Sequence, residues 1–145
     1  MEQLYQYTLP TRLKIGDEII IAGRLYGSRR LKISLIKGEC APDYGNVACQ
    51  LEITSPNEPL KLTTIVDGEE ERIEGGFQFS SADDFFSDQF NLILRTTYEG
   101  YGCDLVVRVD QSDLAVYTIK HELSSIGYLE VSGAVMMERL VFQFG

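Results

Sequence analysis

Val47-Ala48-Cys49-Gln50-Leu51-Glu52-Ile53-Thr54 sets Val47, Cys49, Leu51 and Ile53 against Ala48, Gln50, Glu52 and Thr54. A two-residue period is that of a half-buried β-strand, whose side chains point alternately to core and solvent. The same period extends in both directions. Upstream, Leu31, Ile33 and Leu35 alternate with Lys32, Ser34 and Ile36, behind the apolar run Ile19-Ile20-Ile21-Ala22. Downstream, Leu60, Leu62, Thr64 and Val66 alternate with Lys61, Thr63 and Ile65, and further β-rich runs cover 90–94, 105–109, 114–119, 128–131 and 140–144.

Turn-forming residues separate these runs. Gly27-Ser28, Asp43-Tyr44-Gly45-Asn46, Ser55-Pro56-Asn57-Glu58-Pro59 and Asp67-Gly68 read as turns, and Asp110-Gln111-Ser112-Asp113 as a tight hairpin. Helical turns are expected only at 80–87 and 122–125. About eleven short strands predict an all-β protein, an antiparallel two-sheet β-sandwich, over 1–145 as one domain. Its interior should hold Ile33, Leu35, Val47, Leu51, Val107, Val109, Leu129 and Val131. The terminal strands are expected near each other at a sheet edge, where Leu140-Val141-Phe142-Gln143-Phe144 seeks cover.

Composition narrows the function classes. A formal charge of −9, from 13 basic and 22 acidic residues, opposes nucleic acid and anionic membrane as partners, since phosphate binding requires clustered cations. No apolar run approaches the ~20 residues of a membrane helix, which predicts no membrane insertion. Residues 1–10, MEQLYQYTLP, carry no positive n-region before an apolar core. The expected location is cytoplasmic, with any export independent of a signal peptide. Three cysteines, Cys40, Cys49 and Cys103, read as free thiols in a reducing compartment, the alternatives being a Cys40–Cys49 or a Cys49–Cys103 bridge. No cofactor and no metal is expected: His121 is the one histidine, and Asp83, Asp84 and Asp88 lack the ligand spacing of a calcium loop.

The order and wording of the segments resemble the galectin family across nearly the whole chain. Leu9-Pro10 with Leu13, Gly16, Ile19 and Gly23 is similar to the family's entry segment, and Arg30-Leu31-Lys32-Ile33-Ser34-Leu35 to its arginine-led strand. Asn46-Val47-Ala48 resembles the Asp/Asn-Val-Ala before the sugar-binding strand. The C-terminal third adds Val109-Asp110-Gln111, Tyr117, His121, Leu123, Ser124-Ser125-Ile126 and Leu129-Glu130-Val131-Ser132-Gly133. The resemblance implies a galectin-like jelly roll, a lectin rather than an enzyme, and a homodimer through paired sheet edges.

The family's galactose ligands are largely replaced. His-x-Asn-Pro-Arg falls on Gln50-Leu51-Glu52-Ile53-Thr54, the next Asn on Thr63 or Thr64, and Trp-x-x-Glu-x-Arg on Asp67 through Arg72, keeping Glu70 and Arg72. The chain contains no Trp. Tyr44, Tyr98 or Tyr101 would have to supply a replacement ring. Alternation puts Gln50, Glu52 and Thr54 on one face, with Lys61 and Thr63 beside them, and Glu70 with Arg72 as an expected ion pair. These five, Gln50, Glu52, Thr54, Glu70 and Arg72, are the candidate carbohydrate-binding residues. Two functions follow from this reading: a carbohydrate-binding domain with an altered galactoside site, whose partner is a glycan, or a sandwich serving protein–protein contact. The plain alternative for the polar face is a solvated sheet surface.

Overall fold

The computed structural model describes residues 2–73, 81–84, 86–99 and 102–144. Its strands are β1 (Gln3–Thr8), β2 (Glu18–Leu25), β3 (Leu31–Lys37), β4 (Asp43–Ile53), β5 (Lys61–Val66) and β6 (Glu69–Arg72). Then come β7 (Gln89–Glu99), β8 (Gly102–Val109), β9 (Ser112–Thr118), β10 (Ile126–Gly133) and β11 (Val135–Gln143). Short 3₁₀ turns at Ala82–Asp84 and Leu123–Ser125 fall where helical turns were expected. The strands pair antiparallel into a six-stranded sheet A, β1-β10-β3-β4-β5-β6, and a five-stranded sheet B, β11-β2-β7-β8-β9. This is the two-layer β-sandwich that the alternation predicts.

The core lies between the sheets. Ile33, Leu35, Leu51, Val107, Val109, Leu129 and Val131 are all buried there. Val47 is the exception among the eight expected residues. It is buried, yet it belongs to a separate apolar cluster with Ile36 and Tyr128, against which Ile65 packs. The cause is a bulge in β4. Against β5, Val47 pairs with Ile65 and Gln50 with Thr63, so β4 takes three steps where β5 takes two. An extra residue reverses the parity of everything beyond it. Ala48 and Cys49 therefore both enter the main core, and Val47 faces outward.

Side-chain hydroxyls donate to two carbonyls at the bulge. Thr64 Oγ1 donates to the Val47 carbonyl at 3.0 Å, and the Tyr117 hydroxyl, from the opposite sheet, donates to the Ala48 carbonyl at 2.8 Å. A buried carbonyl left without a donor would cost about 1–3 kcal/mol, so these bonds support the bulge.

Two-residue turns close two hairpins. Asp67-Gly68 joins β5 to β6 with φ of 49° and 83°, and Asp110-Gln111 joins β8 to β9 with φ of 47° and 72°. Positive φ at both positions is the signature of a type I′ turn, whose twist suits paired strands. The acidic loop before β7 is structural. Arg29 pairs with Asp83 at 3.0 Å and with Asp88 at 3.7 Å, and also donates to the Phe86 carbonyl at 3.1 Å.

The terminal strands do not share a sheet edge: β1 edges sheet A and β11 edges sheet B. All three cysteines are free thiols, with Cys40 exposed and Cys49 buried. Among the described residues, no helix is long and apolar enough to cross a membrane.

Candidate functional site

On sheet A, the face turned away from sheet B carries the residues of interest in transverse rows fixed by strand register. One row runs Gln6, Glu130, Ser34, Gln50, Thr63, Arg72. The row on one side runs Tyr128, Ile36, Val47, Ile65, Glu70, and the row on the other runs Ser132, Lys32, Glu52, Lys61. Thr63, rather than Thr64, is thus the β5 residue on this face, beside Gln50 as the alternation predicts.

The first two rows frame a groove of about 200 Å³. Its floor and walls come from Ser34, Gln50, Ile65, Glu70, Glu130 and Tyr44, with Lys32 at one side. Of the five candidate residues, Gln50 and Glu70 line this groove. Glu52 lies one row off and Arg72 on the edge strand, both on the same face but outside the lining. Thr54 lies beyond the end of β4, where its hydroxyl donates to the Glu58 carboxylate at 2.8 Å. The expected Glu70–Arg72 ion pair does not form among the described residues. β6 is a four-residue edge strand with every side chain exposed, so water competes for both groups.

The groove reaches further toward β10 than the alternation suggested, and Tyr44 is the reason. From Ile36 to Lys37, β3 advances one residue while its β4 partners jump from Val47 to Asp43. Residues 44–46 therefore loop out of the ladder, and the Tyr44 side chain crosses the outer face toward β10. Its hydroxyl donates to Glu130 at 2.5 Å, and the Gln6 amide donates to the same carboxylate at 2.7 Å. The bond to Glu130 holds the Tyr44 phenol above its usual pKa, because losing the proton would lose the bond and set two anions together. Even so, Tyr44 is 59% exposed. Its ring is a tethered aromatic surface open to solvent.

The loop-out is anchored from below. Asn46, 8% exposed, donates to Asp43 at 3.1 Å and to the Asp67 carboxylate at 3.5 Å. Its carbonyl oxygen accepts the Asp67 backbone N–H at 3.1 Å and lies 3.3 Å from His121 Nε2. The Gly68 N–H donates to the Gly45 carbonyl at 2.8 Å. His121 is thus a structural residue closing one end of the sandwich, and burial lowers its pKa.

Asp67, where the resemblance implies Trp, sits in the type I′ turn, and its carboxylate is within reach of Asn46. That position presents no stacking plane. Tyr98 lies at the end of β7 in sheet B, on the other layer. Tyr101 lies outside the described residues. Lys32, Ser34, Glu130 and the apolar Ile36–Val47–Ile65 row were missed from the sequence because only register, not local alternation, brings four strands together.

No family model matches the chain, and no curated protein matches it. Solved structures do. A double variant of human galectin-16 superposes with a TM-score of 0.71 at 17% identity, covering 96% of this chain and 95% of that one. Sheep galectin-11 in complex with glycerol gives 0.68 at 15% identity, covering 95% and 96%. A single-site variant of human galectin-16 gives 0.69 at 15%, covering 97% and 95%. The fold is the galectin fold.

Proposed function

We propose that this chain is a non-enzymatic carbohydrate-binding domain of the galectin type, with an altered galactoside site on the outer face of sheet A. The observation that carries this reading is the groove itself. It lies on the face to which the resemblance assigns the sugar, and it keeps one aromatic surface and several polar side chains although most of the family's ligand set is replaced. Pyranose recognition needs that combination: an aromatic plane for the C–H face, and amide, hydroxyl or charged groups for the hydroxyls. A merely solvated sheet face has no need of a buried anchor holding a tyrosine across it.

The ligand is a neutral glycan, since Glu70 and Glu130 in the groove disfavour sulfated and sialylated sugars. Lactose binds in the millimolar range, because no indole stands at Asp67 and no arginine at Thr54, where the resemblance implies them. A homodimer through the edges β1 and β11 is supported by exposed Leu4 and Met136 on those strands. The free thiols fit a cytoplasmic location. A glycan array with retention on lactose-agarose tests the function. Binding to neutral galactosides or related glycans supports it, whereas an array without a single binder leaves the protein-contact reading in its place.

A further inference from the structure

We propose that the groove holds a pyranose subsite on its β10–β3–β4 side, with Tyr44 as the stacking residue and Asn46 as the residue that positions it. The inference deepens the lectin reading and rests on it. It places the sugar's principal contact on the side of the groove away from the β6 edge that carries Glu70 and Arg72.

Three observations carry it. First, Tyr44 does not lie on the surface by default. Its segment leaves the β3–β4 ladder for three residues, and a side chain on such an excursion would ordinarily be free to rotate into water. Here the hydroxyl is bonded to Glu130, whose carboxylate is held in turn by Gln6. Fixing the far end of the ring holds its long axis across the sheet face, and the large exposure of the residue leaves its faces uncovered. A rigid aromatic with an open face loses little conformational freedom when a sugar stacks on it.

Second, the excursion is anchored by polar bonds that also close this end of the sandwich. The nearly buried Asn46 side chain ties three chain segments together: its own loop through Asp43, the β5–β6 turn through Asp67, and the segment after β9 through His121. Ile36, Val47 and Tyr128 form the apolar cluster on the outer face that seats this end of β4. A sheet surface meant only for solvent would not carry a second apolar cluster.

Third, polar side chains surround the exposed ring. Among the described residues, Ser34, Gln50 and Lys32 make no side-chain hydrogen bond, which leaves their polar atoms available. An amide, a hydroxyl and an ammonium beside a carboxylate supply both donors and acceptors for ring hydroxyls.

The test is NMR of the intact chain with ¹³C-labelled tyrosine rings, first without ligand and then with lactose as the probe. Without ligand, the Tyr44 phenol should titrate above the usual tyrosine range and return to that range in Glu130→Gln. Asn46→Ala should have the same effect while the other tyrosine resonances stay in place. A Tyr44 titration unchanged by Asn46→Ala overturns the positioning role, whatever lactose does. With lactose, Tyr44 ring signals should move, and Tyr44→Ala should weaken binding about tenfold, the scale of one lost aromatic contact. Shifts centred on Arg72 with Tyr44 still would overturn the subsite and leave the lectin reading intact. No shift anywhere overturns the subsite, and together with a glycan array without a binder it overturns the lectin reading as well.

Discussion

Asp67→Trp puts an indole back where the resemblance implies one, and the structure predicts that it restores nothing. Asp67 is the first central residue of a two-residue turn, with φ of 49°. An L-residue other than Gly, Asn or Asp in this region costs about 1–2 kcal/mol, because Cβ crowds the carbonyl oxygen that follows. The substitution also deletes the carboxylate that lies 3.5 Å from Asn46 Nδ2, and it strains the turn whose two N–H groups bond Asn46 and Gly45. The expected loss is about 1–2 kcal/mol of stability, a fall of roughly 2–4 °C in Tm per kcal/mol for a chain of this size. Asp67→Asn, which tolerates the left-handed region, should stay within about 0.5 kcal/mol of the parent. Urea and thermal melts followed by circular dichroism give the stability. The chain has no other Trp, so fluorescence reports on the introduced indole alone. It should emit as a solvated side chain, unmoved by lactose. If Asp67→Trp were as stable as the parent and bound lactose tenfold more tightly, the argument that turn geometry excludes a stacking ring here would be wrong.

Other outcomes follow from the same structure. Leu51→Asp buries a charge in the core at a site 1% exposed; it should unfold the domain, seen as loss of the cooperative melt. Tyr117→Phe leaves the Ala48 carbonyl without its donor, and urea denaturation should show a loss of about 1–3 kcal/mol. His121 has a folded-state pKa below its ordinary value of 6.5, chiefly through burial. Its contribution is therefore complete above the unfolded pKa and is lost as pH falls through the folded one. Stability should decline as pH falls across that range, and His121→Gln should flatten the slope in melts run across it. Burial pushes the Cys49 thiol up to about 11, so iodoacetamide on the native protein should label exposed Cys40 and spare Cys49, as read by peptide mass spectrometry.

Strand alternation made most of the fold legible, because its period is local. The Leu31–Ile36 and Leu60–Val66 runs became β3 and β5 almost residue for residue. β1 went unread: its alternation of Tyr5 and Tyr7 with polar neighbours is weak, and most of the strand is exposed. The site was legible in part. Alternation puts Gln50 and Glu70 on one face, and both do lie on the outer face of sheet A. Val47 was assigned to the wrong face because a bulge is a property of two strands together. Asp43-Tyr44-Gly45-Asn46 has the composition of a turn and does leave the ladder, but as an excursion inside β4. What it carries depends on Glu130, 86 residues from Tyr44, a pairing that no sequence period encodes.

On this reading a neutral glycan lies in the groove on the outer face of sheet A. Backbone-amide NMR during a lactose titration tests it most directly. Binding should be saturable and millimolar, with shifts gathered on Ser34, Gln50, Ile65 and the 44–46 segment and none on the outer face of sheet B. Micromolar affinity, or shifts centred around Ile93 and Arg108 on sheet B, would contradict it.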